Sequence, residues 1–134
     1  MQETNDTLSA LALLCCDTVI TDAPTGKKTL VGLFNSIKVA RFPYIIGQFF
    51  IFASVTNGMG EIPVSVRLSA SDGRELFNLK GSLHCKTPLD APEVVFQIQN
   101  MPFTEEGVFD LELIAGGRII ASRTLTVNLA RISH

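Results

Sequence analysis

The feature that most constrains the fold is the stretch from Gly107 to Val127, which predicts a β-hairpin. Successive strand side chains point to opposite faces, and in the first half one face is apolar while Asp110 and Glu112 lie on the other. Gly116-Gly117 supplies the two positive φ angles that a two-residue hairpin turn needs. The residues predicted to face inward are Phe109, Leu111, Leu113 and Ala115, then Ile119, Ala121, Leu125 and Val127 on the return strand.

Similar patterns recur along the chain and predict eight or nine strands. Ile62 to Ala70 alternates most regularly, and Asp72-Gly73 predicts a tight turn into a strand from Arg74 to Cys85. Between Asn100 and Glu106 we expect a connection whose Met101 and Phe103 plug one end of the core. Further strands are predicted over 8–20, 29–40, 48–56 and 93–99, and no stretch predicts a helix.

This pattern is typical of an all-β protein, and we expect an antiparallel two-sheet sandwich with Greek-key connections. The Gly107–Ala115 strand and its hairpin resemble the closing strands of immunoglobulin-like sandwiches, although the usual buried Trp and the disulfide spacing are absent. The 134 residues are predicted to form a single domain, 1–134, with loose tails at 1–7 and 128–134.

Composition excludes several classes of protein. A hydrophobic fraction of 46% with 18% charged residues argues against disorder. The net charge is −2 and no basic patch is present, so nucleic-acid binding is not expected. The first residues, 1–6, are acidic, which does not fit a secretory signal, and no apolar run approaches the ~18 residues of a membrane span. We expect a cytoplasmic protein without a membrane partner.

No catalytic, cofactor-binding or metal-binding residues are predicted, and the chain is not expected to be an enzyme. Of the two histidines, His84 is predicted to be exposed and His134 is terminal. The three cysteines are an odd number and are predicted to be buried and reduced. Cys15-Cys16 and His84-Cys85 could each direct only one ligand to a common zinc ion, because adjacent strand residues face apart. Thr25-Gly26-Lys27 lacks the remaining residues of a phosphate loop and predicts a plain turn.

Several segments resemble a family of small bacterial proteins of unknown function with an immunoglobulin-like tail. They are Cys16-Asp-Thr-Val-Ile-Thr-Asp, Thr25-Gly-Lys, Leu30-Val-Gly-Leu-Phe-Asn-Ser-Ile, Phe42-Pro, Pro63-Val-Ser-Val-Arg-Leu and Gly107-Val-Phe-Asp-Leu. The resemblance covers most of residues 10 to 127. It implies a β-sandwich in a bacterial protein and brings no functional residues with it.

The early strands differ from the later ones because they are apolar on both faces. A sandwich strand normally has one wet face, so the second apolar face predicts either an interface or a covering element. The residues assigned to an interaction surface are Leu11, Leu13, Val31, Leu33, Phe50 and Phe52. The alternatives are that bulges reverse the parity within these strands, or that the loops 41–47 and 86–92 cover the face.

These observations favour a non-catalytic interaction or structural module, which forms a homo-oligomer or binds a protein partner through its first strands. The alternative function is a small-ligand-binding sandwich whose site lies in the loops 57–61, 86–92 and 100–106 at one end.

Overall fold

The structure is a computed structural model that describes residues 7–130. This part of the chain contains nine strands and no helix, and therefore no helix that could cross a membrane. The strands are β1 (Ser9–Thr21), β2 (Lys28–Phe34), β3 (Ser36–Val39), β4 (Tyr44–Thr56), β5 (Gly60–Ala70), β6 (Glu75–Cys85), β7 (Glu93–Phe103), β8 (Gly107–Ala115) and β9 (Arg118–Leu129).

The strands form two sheets that face each other, which confirms the predicted all-β sandwich. Sheet A has the order β2-β1-β4-β7, and sheet B has the order β3-β9-β8-β5-β6. In sheet B, the neighbouring strands β5, β8 and β9 have the connectivity of strands C, F and G of the immunoglobulin fold. In sheet A, the neighbouring strands β4 and β7 correspond in the same way to strands B and E. The β1–β2 hairpin is an addition at the edge of sheet A.

The core lies between the sheets and is built by the predicted alternation. In β5 the inward residues Ile62, Val64, Val66 and Leu68 are buried, and so are Phe109, Leu111, Leu113 and Ala115 in β8. Gly116 and Gly117 both have positive φ angles, as the predicted hairpin turn requires. Met101 and Phe103 are buried as expected but belong to β7, where the Phe103 ring packs edge-on against Phe109 at 5.3 Å.

The stretch predicted as one strand over 29–40 is two strands in different sheets. The chain crosses from sheet A to sheet B at Asn35, whose carbonyl oxygen accepts a hydrogen bond from Thr126 N at 3.1 Å. β3 then pairs in parallel with β9, whereas the other strand pairs are antiparallel. The sandwich is therefore antiparallel with one parallel pair at its edge.

Two bulges change the faces that alternation predicts. Leu11 is inserted between Ala10 and Ala12, which pair with consecutive residues of β4. In β9 a bulge beside Ile114 turns Ile119 outward, so the prediction that Ile119 faces the core is wrong. β9 continues to Leu129, so residues 128 and 129, which were predicted to belong to a C-terminal tail, lie in a strand; residues 1–6 and 131–134 lie outside the described part of the chain.

The β1–β2 hairpin bends away from β4 at a position defined by Asp17 and Gly32. β1 pairs with β4 only as far as Cys16, opposite Phe50. Gly32 has a φ of 73° and lies across from Asp17. A Cβ atom on Gly32 would lie 2.7 Å from Asp17 Cγ and overlap the carboxylate. The bend therefore requires glycine for its left-handed backbone and for the space that Asp17 occupies.

We expect Gly32→Ala to destabilise the protein by about 2 kcal/mol, because it adds backbone strain and a steric overlap. Gly26→Ala is the matched control, since Gly26 also has a positive φ of 72° but open space around it. The control should cost about 1 kcal/mol from backbone strain alone. Urea unfolding followed by circular dichroism measures both values, and equal losses would contradict the role assigned to Asp17.

Candidate interaction surface

The outer face of sheet A is apolar around Phe50 and Phe52, whereas the middle of the outer face of sheet B carries polar side chains. On sheet B the facing side chains include Ser65 and an ion pair between Arg67 and Glu112. On sheet A, strand pairing places Leu14 beside Phe52 and Cys16 beside Phe50, with Val95 next to Phe52 on β7, and apart from Cys16 these side chains are half-buried. An apolar outer face of this kind needs a cover or a partner.

The burial of Cys16 indicates that another part of the chain covers the outer face of sheet A at this position. Its side chain has a relative exposure of 0%, yet it is not part of the core cluster between the sheets. Its neighbour Cys15 faces the opposite side of β1 and does belong to that core. Cys16 is thus buried on the outside of sheet A.

The covering element is the part of the β1–β2 hairpin beyond the bend, residues 17–32, which we call the arm. Lys28 pairs with Thr21 at one end of β1, whereas Glu93 lies in line with Ala12 near the other end. Along a straight strand these ends are roughly 30 Å apart, yet Lys28 Nζ lies 3.1 Å from Glu93 Oε1. The arm must therefore fold back across the outer face of sheet A to reach the β7 edge.

Burial along the arm agrees with this arrangement. Val19 and Leu30 pair across the arm and are half-buried, as are Lys28 and Thr18, whereas Ile20, Thr29 and Val31 are exposed. The arm is thus partly buried along Val19 and Leu30 and exposed to solvent along Ile20 and Val31. Its tip is a plain turn, as predicted, in which Asp22 Oδ2 accepts hydrogen bonds from Thr25 N at 3.2 Å and from Thr25 Oγ1 at 2.6 Å.

The six residues predicted to form an interaction surface do not share one environment. Leu33 and Val31 are exposed, with relative exposures of 59% and 41%, and Leu11 is exposed on its bulge at 56%. Phe50 and Phe52 are half-buried on the face that the arm crosses. The assignment of Leu13 to this surface is wrong, because the bulge at Leu11 shifts the parity and places Leu13 in the core. Ile20, at 55% exposure, was missed because its strand was expected to be a core strand.

The two alternative explanations for the second apolar face, bulges and covering loops, are each correct in part. The bulge does reverse parity in β1, and the loop 86–92 covers one end of the face, where Ser54 and Thr56 donate hydrogen bonds to Pro92 O at 3.0 Å and Asp90 O at 2.9 Å. The segment 41–47 does not cross the face, because from Tyr44 onward it extends β4 alongside β7. The main cover, the arm, was not anticipated.

The loops of the predicted small-ligand site do not converge. Segments 57–61 and 86–92 lie at the same end of the sandwich, where Asn57 N donates to Pro88 O at 3.0 Å. Residues 100–106 lie at the other end, because Phe103 pairs with Tyr44 at the start of β4. The three segments therefore cannot line one pocket.

A cluster of Ser82, His84 and Glu61 does not assemble a nucleophile with its base. On the outer face of sheet B, Glu61 accepts hydrogen bonds from Ser82 Oγ at 2.5 Å and contacts His84 Nδ1 at 3.3 Å. These contacts lower the pKa of the Glu61 carboxyl, with the Ser82 bond as the main cause. A triad needs the histidine between the hydroxyl and the acid, whereas here the carboxylate lies between them. Within residues 7–130 no three His, Cys, Asp or Glu side chains are grouped closely enough to hold a metal ion.

The arm arrangement makes the thiol of Cys16 a reporter of arm position. We expect Lys28→Glu to place two carboxylates together, lift the arm and increase the alkylation rate of Cys16 several-fold, as measured by mass spectrometry on the native protein. The ion pair is partly exposed, so its removal should cost only about 0.2–1 kcal/mol of overall stability.

Lys38→Glu on β3 is the matched control and should leave Cys16 unreactive. The double variant Lys28→Glu/Glu93→Lys should restore protection by reversing the ion pair. A rise in alkylation that is equal at Cys15, Cys16 and Cys85 would indicate general unfolding and would contradict a local role for the arm.

Burial of Cys15 predicts a loss of stability at high pH. Desolvation raises the pKa of its thiol from 9.0 to about 11, partly offset by the nearby Arg123 guanidinium. Below pH 9 the Cys15 thiol is protonated in both the folded and the unfolded protein. Above pH 9 it ionises first in the unfolded chain, so the free energy of unfolding falls by about 2–3 kcal/mol as the pH rises toward 11. Urea unfolding between pH 8 and 11 should show a shallower decline for Cys15→Ala than for the natural sequence, and equal slopes would contradict this assignment.

Comparison with known proteins gives a family and several weak structural similarities. None of the curated proteins compared with the sequence is significantly similar to it. Solved structures that match include an immunoglobulin-like protein from Pseudomonas aeruginosa, with 12% identity and a TM-score of 0.40 over 92% of this chain and 98% of that one.

Two longer proteins match through a part of their length. The alkylpurine DNA glycosylase AlkC of Pseudomonas fluorescens has 11% identity and a TM-score of 0.49, over 90% of this chain and 30% of its own. The β-glucosidase of Listeria innocua has 10% identity and a TM-score of 0.46, over 90% of this chain and 16% of its own. These scores support no inference about activity.

The sequence itself gives the clearer result. Residues 11–128 match the model of a protein family, and this range includes both the arm and the sandwich. The chain therefore belongs to the family of unknown function DUF6941.

Proposed function

We propose that the protein is a non-catalytic interaction module that self-associates through the outer edge of the arm, where β2 pairs with β2 of a second copy. The observation that carries this proposal is that β2 is an edge strand without charge or proline from Thr29 to Phe34, in which Val31 and Leu33 are exposed.

The other three edge strands carry residues that oppose such pairing. β7 contains Pro102, β6 contains Lys80, and the short β3 contains Lys38. Charges, proline and short length are the usual protection of a sheet edge against a second chain. β2 has none of these over its last six residues, and only the bend at Gly32 interrupts its edge, so it is the edge best suited to pair with another strand.

Pairing between two copies of β2 is self-complementary. Antiparallel pairing of identical strands about a two-fold axis gives a closed dimer and leaves no further edge of the same kind. The two arms then form one four-stranded layer with the exposed side chains of Ile20 and Val31 on one face, and the exposed Leu33 lies just beyond the bend of each arm.

The energetic terms predict a reversible dimer. Full burial of an aliphatic side chain gains about 1.5–3 kcal/mol, and each of these side chains is already about half-buried. Association costs about 4–15 kcal/mol in lost freedom, and we expect the six side chains of the two copies, together with the new backbone hydrogen bonds, to exceed this cost by a small margin.

We also propose a cytoplasmic location, since three unpaired cysteines suit a reducing compartment.

The test is the mass in solution from micromolar to millimolar concentration, measured by size exclusion with light scattering. We expect a dimer that dissociates on dilution, and we expect Val31→Lys to remain a folded monomer because the charge cannot enter the paired edge. Val108→Lys is the matched control, since Val108 is a similarly exposed valine on the central strand β8 of sheet B.

The control variant should dimerise as the natural sequence does, and thermal unfolding should show that both variants are folded. A natural protein that stays monomeric throughout, or equal dissociation by the two variants, would contradict the proposal.

A further inference from the structure

A second candidate site lies where β1 separates from β4. Because β1 pairs with β4 only up to Cys16, the first residues of β4, 44–48, have a strand neighbour on the β7 side and none on the other. The missing neighbour leaves a gap in sheet A about one strand wide. Over these residues the length of the gap is roughly 17 Å.

The gap continues into a groove between the two sheets. Its floor is apolar, with Phe34 packed edge-on against Phe49 at 5.7 Å and with Ile37 and Ile46 beside them. Its rim is polar and consists of Asp17, Ser36, Tyr44 and Gln48. The facing wall, β3, is itself an edge strand of sheet B. The groove therefore combines an apolar floor with unpaired strand edges on both sides.

The size of the groove distinguishes between classes of ligand. Its volume is about 260 Å³, below the ~300–1,000 Å³ of pockets that enclose a drug-sized molecule. It can accept one or two apolar side chains of a longer molecule whose remainder lies outside. An extended peptide fits this description, because alternate side chains enter the groove while the backbone pairs with the strand edge.

The charge on the rim sets the polarity of the ligand. Asp17 is the charged residue of the lining, and its carboxylate is held beside the bend by the close approach to Gly32. An exposed carboxylate next to a strand edge favours a lysine or arginine on the incoming strand, as in a cross-strand pair. Tyr44 and Gln48 provide further hydrogen-bonding groups on the same rim.

We propose that this groove binds an extended peptide segment of a partner protein, which adds a strand to β4 along residues 44–48. The segment inserts apolar side chains over Phe34 and Phe49 and presents a basic side chain to Asp17. This site is separate from the outer edge of β2, so it does not depend on the proposed dimer.

The experiment begins with selection of binders to the full chain from a displayed library of random peptides. We expect the enriched peptides to alternate apolar and polar residues with a lysine or arginine near one end. When such a synthetic peptide is added, those backbone amides of residues 44–48 that point away from β7 should become protected from hydrogen exchange. Protection along a strand edge is the direct signature of strand addition.

Two variants test the groove itself. Ser36→Arg should block it and weaken binding more than tenfold, whereas Ser122→Arg, the same change at an exposed position on the outer face of sheet B, should not. Asp17→Asn should weaken binding roughly threefold, the size expected for an exposed ion pair. Circular dichroism and thermal unfolding show whether each variant is folded.

Three results would overturn the proposal. The first is a selection that enriches no peptide whose binding requires the groove. The second is enriched peptides that leave hydrogen exchange at 44–48 unchanged. The third is equal weakening by Ser36→Arg and Ser122→Arg in folded proteins.

Discussion

Sheet A is apolar on both faces, and the arrangement of the first third of the chain follows from the need to bury the second of them. Sheet B covers only the inner face. Phe50, Phe52 and Cys16 would otherwise present a contiguous apolar surface to water, at a cost that rises with the area exposed. The arm supplies the cover from the same chain, and its position is fixed by a bend at Gly32 and an ion pair between Lys28 and Glu93.

The bend into the arm leaves backbone groups unpaired on β4, because β1 pairs with β4 only as far as Cys16. The early part of β1 has a second open edge, because β2 pairs with β1 only from Cys15 onward. Side chains from β9 reach the backbone there, since Arg123 Nη1 donates to Leu13 O at 2.6 Å and Arg118 Nη2 donates to Leu8 O at 3.3 Å. No comparable donor from the described residues reaches the β4 edge at 44–48. The groove beside residues 44–48 therefore arises from the departure of β1 from its sheet.

The sandwich itself could be predicted from the sequence because its central strands obey a local rule. In β5 and β8 each side chain faces the side that alternation assigns to it, and the Gly116-Gly117 turn fixes their neighbour β9. The rule fails where one residue is inserted, as at Leu11, since a single bulge reverses the parity of the residues before it relative to the residues after it, so that Leu11 and Leu13 no longer share a face. Leu13 was misplaced for that reason.

The arm could be predicted only in part. Gly32 indicates a distortion in its strand, but neither its direction nor the chain crossing at Asn35 is encoded in the alternation. The partner of Lys28 is distant in sequence, on β7, and no local pattern connects them. The sequence did correctly indicate that the early strands carry more apolar surface than the interior of one sandwich can bury.

The parallel pair of β3 and β9 has a consequence for the order in which the chain can fold. It joins residues 36–39 to residues 126–129, so nearly the whole chain must leave the ribosome before this edge of sheet B can close. The arm is a local hairpin whose two strands are joined by a short turn, and such contacts form early because little loop entropy is lost. During synthesis the β1–β2 hairpin can thus form before β8 and β9 of the opposite sheet exist, which limits the time for which its apolar residues are exposed to other nascent chains.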